Sequence, residues 1–397
     1  MRRAVCFLLC AVLVGLVAAR MALLEPVTTG GTAAEKEQDI VTDWDTQRYN
    51  ALPLQLPVST QTAGSALIAE MDRYYLSRTP TEKNASTGAL AGKNLILILA
   101  EQWRPAPPDP DMAPALYRLW SEGLQCGQVY APEWYQGSEG RKFALLAGIT
   151  PTTVWGRSAL AWMGEQDTYL PFALARSLAQ TGYICRAYYR GGTEAAYEAL
   201  GFTTAEKTLA ADLETLDATL PVVMTASPFF AYYEWEAADG EEALARLLQS
   251  LTEAGHGEDT AVCLVTGGTE ELRGQLYLWG VGLAAGEVTA PCSELDVTPT
   301  LLNLLGVGFD ARFLSGRDIL SGAESLVSLY GSAYGGWVTD AGYYDAAEDA
   351  FFRETDRMAG EQEAAGYIRR MRRQVYDSYV YARRIMENNY FHVVMGR

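Results

Sequence analysis

Histidine is nearly missing from this chain: His256 and His392 are the only two in 397 residues. A three-histidine metal site is therefore excluded, and a histidine-based acid/base scheme has few candidates. Positive charge is also short. Against 49 Asp and Glu stand 31 Lys and Arg, a net charge of −18, and a nucleic-acid binder needs a basic face to neutralise phosphates, so that class of partner is set aside. Cysteine is sparse, six in all. Cys6 and Cys10 sit in an apolar N-terminal run without a convincing lipobox. Cys126, Cys185, Cys263 and Cys292 allow three pairings, but three of them lie in strand-like segments (LQCGQVY, YICRAYY, AVCLVTG), where a buried free thiol is the commoner state. A run long enough to concern a membrane occurs once, as the 16 uncharged residues Ala4–Ala19 behind Arg2 and Arg3. A span needs about 20, and Val17 and Ala19 fit the −3 and −1 places of an A-x-A-like cleavage site. A cleaved signal peptide and a single membrane anchor both fit residues 1–24, and either one exports the remainder.

What is present suits a globular body: 49% apolar and 20% charged residues are ordinary proportions, and the length exceeds one average domain. Residues 25–92 are rich in Thr, Ala, Ser, Gly and Gln and read as a linker with one helical patch, SALIAEMDRYYLS (65–77). From Lys93 the texture changes. NLILILA (94–100) is a continuous apolar run, as a strand covered on both faces requires. APALYRLWSEG (113–123) reads as a helix stopped by glycine, followed by a strand to Tyr130. YLPFALARSLAQTG (169–182) is a second such helix and YICRAYY (183–189) the strand after it. VVMTAS (222–227) reads as a strand, EEALARLLQSLTEAG (241–255) as a long helix, then AVCLVTG (261–267) and QLYLWGVG (275–282) as strands. Strands alternating with helices predict an open α/β sheet over 93–323. Residues 324–397 differ: the stretch 325–352 is aromatic and glycine-punctuated, like short antiparallel strands, and a closing helix follows. That helix carries Ile368, Met371, Val375, Tyr379, Ala382 and Met386 on one stripe, with Arg369, Arg370, Arg372, Arg373, Arg383 and Arg384 off it. The stripe predicts docking against the body; the arginines leave open a contact with anionic lipid or wall polymer.

Several of these segments resemble one family in the right order. SELDVTPTLLNLLGV (293–307) and GRDIL (316–320) are similar to the segments that close the sheet in sulfatase-type members of the alkaline phosphatase superfamily, and KNLILILAEQW (93–103) to their opening strand. GGWVTDAGYYDAAEDAFF (335–352) and MENNYFHVV (386–394) resemble the C-terminal hairpin and last stretch of lipoteichoic acid synthases. The resemblance implies a central, mostly parallel sheet flanked by helices, with a small antiparallel hairpin and a closing helix. It also implies an extracytoplasmic phosphoglycerol transferase. In such enzymes a Thr or Ser hydroxyl, held on a divalent metal (Mn²⁺ or Mg²⁺), attacks a phosphodiester of a glycerophospholipid and hands the group to a growing polymer.

Carried over by position, Glu101 falls on the acidic metal ligand that ends the opening strand, and Ser138 in YQGSEGRKF on the nucleophile. Arg141 and Lys142 could receive phosphate oxygens, as could Arg190, which replaces a histidine in YYRGGTEAAYEALGF. Other positions depart. Gly268 and Thr269 stand where an Asp-His pair is expected, and Phe229 stands where the family keeps a substrate-site histidine. Glu270 and Glu271 read as a helix start, with a role as replacement carboxylates left open. His256 and His392 match no ligand position, and at most one N-terminal membrane helix replaces the several usual in the family. One carboxylate and one hydroxyl do not hold Mg²⁺ or Mn²⁺, which want about six oxygen ligands. The expectation is therefore a family-like protein with lost or weakened catalysis, a binding or regulatory partner in envelope phosphoglycerol metabolism. Its partners would be the membrane through the N-terminal segment, an anionic glycerophospholipid, a teichoic-type polymer or an active family member. The alternative is an active phosphoglycerol transferase or phosphodiesterase using Ser138.

Overall fold

A computed structural model of the chain describes residues 66–105, 108–267, 273–332, 334–353 and 361–395. The apolar N-terminal run, residues 25–65 of the linker, Gly268, Thr269, Glu270 and Glu271 lie outside these residues. Among the described residues, no helix is long and apolar enough to cross a membrane.

The run NLILILA forms β1 (Asn94–Ala100), buried throughout. Successive side chains of a strand point to opposite faces, and here Leu95, Leu97 and Leu99 enter one core while Ile96, Ile98 and Ala100 enter another. Both faces must be covered. Helix α1 (Ala66–Ser77) precedes this strand, and α2 (Pro114–Glu122), β2 (Leu124–Tyr130) and α3 (Ser138–Ala147) follow it. Next come a small hairpin, β3 (Thr153–Val154) and β4 (Arg157–Ser158), then α4 (Ala159–Glu165) and α5 (Leu174–Gln180). The alternation continues through β5 (Ile184–Tyr189), α6 (Glu194–Leu200), β6 (Thr204–Lys207), α7 (Asp212–Val223), β7 (Phe229–Glu234) and α8 (Gly240–Glu253). It ends with β8 (Thr260–Gly267), β9 (Arg273–Trp279), β10 (Gly286–Val288) and α9 (Val297–Leu304).

The eight-stranded sheet has the order β10-β2-β9-β8-β1-β7-β5-β6. β1 runs parallel to both β7 and β8, β5 to β6 and β7, and β2 to β10; β9 alone opposes its neighbours. The sheet is thus mostly parallel and helix-flanked, as the strand–helix alternation predicts. Cys126, Cys185, Cys263 and Cys292 are all free, and burial pushes the Cys185 thiol up to about 12.

Two sequence readings need correction. VVMTAS is the end of α7 and the turn after it; the strand is FFAYYE (229–234). Leu216, Leu220 and Val223 bury one helical stripe of α7, which extends helix into the stretch read as strand, whereas every residue of FFAYYE is buried in the sheet. The helix read over 169–182 is confined to Leu174–Gln180; Pro171 disfavours helical geometry at the residue before it. The end of the linker also proves to be part of the body. Met71 and Tyr75 of α1 are buried in the main core, and Asn84 donates to Asp318 at 2.6 Å.

The motifs SELDVTPT and GRDIL clasp each other. Asp296 accepts the backbone N–H groups of Ser293 and Arg317, both at 2.8 Å, and Thr300 accepts that of Ile319 at 3.1 Å. Gly316 lies so close to the Leu295 carbonyl that no side chain fits there. The motif's spacing therefore serves the fold.

C-terminal to this clasp, β11 (Val327–Ser328), β12 (Trp337–Thr339), β13 (Gly342–Asp345) and β14 (Ala350–Arg353) form a separate antiparallel sheet in that order. Helices α10 (Glu361–Glu387) and α11 (Tyr390–Met395) close the chain. Met371, Val375, Tyr379, Ala382 and Met386 are buried. The arginines around them pair with carboxylates: Arg370 with Glu324, Arg372 with Asp349, Arg373 with Asp377, Arg383 with Glu387 and Arg384 with Glu70. Burying one such apolar side chain stabilises by about 1.5–3 kcal/mol, against about 0–1 kcal/mol for an exposed ion pair. The stripe, not the arginines, seats the helix.

Candidate active site

In a parallel sheet, ligands meet the carboxyl ends of the strands. At that edge β1 runs into Glu101, β5 into Arg190, β7 ends on Glu234 and β8 ends on Gly267. Helix α3 brings its N-terminus to the same edge. Gly137, at φ +57, turns the chain into it; Ser138, its first residue, is exposed, and Arg141 and Lys142 follow within one turn. Trp134 supports this turn from below, so closely that a Cβ on Gly140 would come within 2.6 Å of it.

Two charge clusters result. In the first, Arg141 Nη2 lies 2.6 Å from Glu294 Oε1, and its Nε lies 3.9 Å from Glu101 Oε1. Burial pushes the guanidinium pKa down, but the carboxylates of Glu294 and Glu101 outweigh it and leave it above the usual arginine value. Glu294 is fully buried, and burial raises its pKa despite Arg141. The cluster is not saturated: Glu101 Oε1 and Glu294 Oε2 are buried without a hydrogen-bond donor. On the other side of Glu101, the Arg104 guanidinium faces Gly267, 2.7 Å from where a Cβ would stand.

The second cluster centres on Glu234. Its Oε2 accepts Lys142 Nζ at 2.8 Å, the Arg190 backbone N–H at 2.8 Å and that of Gly191 at 3.3 Å. Its Oε1 accepts the hydroxyls of Tyr197 and Tyr232. The Arg190 guanidinium turns away to Asp212 and the Ala210 carbonyl, each at 2.7 Å, and Glu236 lies at 3.4 Å.

Of the residues singled out from sequence, Glu101, Ser138, Arg141, Lys142 and Arg190 thus come to one edge. Phe229 does not. It opens β7 at the far end, fully buried, with the His256 ring 6.0 Å away. At about 3.3 Å per residue, some 16 Å separate it from the strand's functional end, where Glu234 stands instead. Reading VVMTAS as the strand caused the shift. Glu234, Glu294 and Asp212 were missed; for Glu234 the available signal was a carboxylate closing an otherwise apolar, aromatic run. Gly268 and Thr269 lie outside the described residues.

The metal that the family resemblance implies is not accommodated by the described residues. Among them, no group of three or more His, Cys, Asp or Glu is arranged to hold an ion, and Arg141 already faces Glu101. Two unit charges at 4 Å interact by about 4 kcal/mol at an effective dielectric of 20. A divalent ion on Glu101 would meet roughly twice that repulsion from the guanidinium.

No protein-family model matches the sequence, and no curated protein matches it. Solved structures do. The lipoteichoic acid synthase LtaP from Listeria monocytogenes superposes with a TM-score of 0.62 at 15% identity, over 82% of this chain and 98% of that one. A protein in the alkaline phosphatase superfamily from Vibrio parahaemolyticus gives 0.55 at 14% identity, over 87% and 98%. A sulfatase of Bacteroides thetaiotaomicron, described with its metabolism of multiple glycosaminoglycans, gives 0.52 at 13%, over 73% and 96%. The chain shares the fold of these solved structures, a mostly parallel, helix-flanked sheet with a separate antiparallel sheet.

Proposed function

We propose that this chain is a lipoteichoic acid synthase-like protein whose metal-dependent catalysis is lost or weakened, acting outside the membrane as a binding or regulatory partner in envelope phosphoglycerol-polymer metabolism. The observation that supports this reading is the guanidinium of Arg141, set between Glu101 and Glu294. It supplies a tethered single positive charge where the family resemblance calls for a divalent ion. Lys142 and Arg190, the other groups suited to phosphate oxygens, are each engaged by carboxylates. A phosphate entering this edge would have to compete with Glu294 for Arg141, with Glu234 for Lys142 and with Asp212 for Arg190. Ser138 stands at a helix N-terminus one turn from Arg141, whose guanidinium draws the carboxylates of Glu294 and Glu101 toward itself. Export rests on the apolar run behind Arg2 and Arg3.

The test is a titration of the purified full chain with Mn²⁺ by calorimetry, together with an assay for glycerophosphate released from phosphatidylglycerol. The expected result is no metal binding below about millimolar and no release. Micromolar Mn²⁺ binding with release that Ser138→Ala abolishes would overturn the reading and establish the active enzyme. One feature favours that second reading: Ser138 is exposed on the first turn of α3, one turn from Arg141, as a nucleophile with a cation for the reacting oxygens would be.

A further inference from the structure

Large exposed aromatic rings are uncommon on a soluble surface and mark interaction sites when they gather. Three gather around the Ser138 turn. Tyr135 is 87% exposed, Trp155 71% and Tyr330 41%. The backbone places them together. Glu133 donates to Leu329 O at 3.0 Å and Gly331 donates to Glu133 O at 2.7 Å, so the segments carrying Tyr135 and Tyr330 run side by side. The β3–β4 hairpin, with Trp155 at its tip, is tied to the same turn: Gln136 donates to Thr153 at 3.1 Å, and Ser158 donates to Glu139.

Trp155 adds an independent sign. Its φ is +48°, a left-handed conformation that a bulky residue rarely adopts and that concentrates at functional positions. Gly156 takes the second left-handed place of this two-residue turn, at φ +82°, and the first falls to an exposed indole. Burial does not account for it, since the residue is 71% exposed.

From these observations we propose that Tyr135, Trp155 and Tyr330 form a docking rim for an uncharged glycan chain, whose pyranose faces lie flat on the rings while exposed Glu133 and its neighbours accept hydroxyl protons. Charge chooses this occupant. A chain at −18 repels polyanions and anionic bilayers, whereas a neutral polyol is indifferent to the field and donates hydrogen bonds to carboxylates. Isolated flat rings, with no aliphatic side chain in the rim, suit stacking better than insertion among acyl chains. The proposal does not depend on whether Ser138 is a nucleophile.

The test uses the full chain with cellohexaose, laminarihexaose and chitohexaose, followed by tryptophan fluorescence and calorimetry, and with phosphatidylcholine vesicles in a sedimentation assay. Saturable binding of at least one hexaose is expected, weakened about tenfold by Tyr135→Ala or Trp155→Ala, as loss of an aromatic anchor implies. Trp155→Gly is expected to lose the sugar with no fall in Tm, because glycine accepts the left-handed turn; this separates binding from folding. The proposal is overturned by three unbound hexaoses, by unchanged affinity in the alanine variants, or by Trp155-dependent binding to vesicles in place of sugar.

Discussion

Glu234 and Glu294 are both buried glutamates facing a cation from α3, yet their surroundings differ. Glu234 accepts from a lysine, two backbone N–H groups and two tyrosine hydroxyls. Glu294 holds Arg141 through one oxygen and leaves the other bare, as Glu101 does beside it. A saturated network fixes a structure, whereas an unsaturated one carries a desolvation penalty that a ligand or a structural change could relieve. The Glu234 cluster reads as the scaffold of this edge and the Glu294 cluster as its remaining site.

The sharpest way to break this contrast is to remove Glu234. Glu234→Ala leaves Lys142 buried and unpaired and strips Tyr232 of its acceptor, while Tyr197 keeps the Gly191 carbonyl at 2.9 Å; it is expected to cost about 3–5 kcal/mol, read by urea denaturation. A similarly small loss from Glu234→Ala and Glu101→Gln would erase the distinction.

Next in size is a pH effect in the clasp that holds Glu294 in place. Burial raises Asp318 from 3.8 to about 6, so the folded state binds a proton that the unfolded chain releases. Stability from this group is fully present below about pH 4 and is lost as pH rises through 6; 2.2 units at 1.36 kcal/mol give about 3 kcal/mol. Asp318→Asn mimics the protonated form. Its stability relative to the unaltered chain is expected to rise by about that amount between pH 3.5 and 7, and parallel curves would refute the assignment.

The smallest effects are expected at the open cluster and the surface. Glu101→Gln removes a carboxylate that accepts no hydrogen bond through Oε1 and should shift stability by less than about 1 kcal/mol. Arg372→Ala breaks a pair whose side chains are 52% and 72% exposed, for about 0–1 kcal/mol. Larger losses in thermal or urea unfolding at either position would mean that the cluster or the closing helix depends on charge more than its packing indicates.

The sequence carried the fold well because β1 and β8 are apolar on both faces and the closing helix repeats at helical spacing. It carried the site less well. Arg141 and Glu294 are separated by 153 positions, and nothing in either segment alone announces the pair. Glu234 is hidden because the end of α7 is as apolar as a strand, which draws the strand reading seven residues early and sets Phe229 where the strand in fact ends on Glu234. Two histidines in the composition leave few ways to build a histidine-based site anywhere in the chain. What stands at the carboxyl edge among the described residues are the Arg141 and Glu234 charge clusters.

Helix α1 bears on how the body would respond to force. Tyr74 stacks on Tyr381 with centroids 3.5 Å apart, Arg384 holds Glu70 at 2.7 Å, and Tyr390 donates to Asp72 at 2.7 Å. Tension arriving from the segment before residue 66 therefore loads α1 against the closing helices α10 and α11, through several contacts acting in parallel. Met71 and Tyr75 share that load with the main core behind β1, so a chain tethered at that end would spread a pull over its last two helices and its core at once.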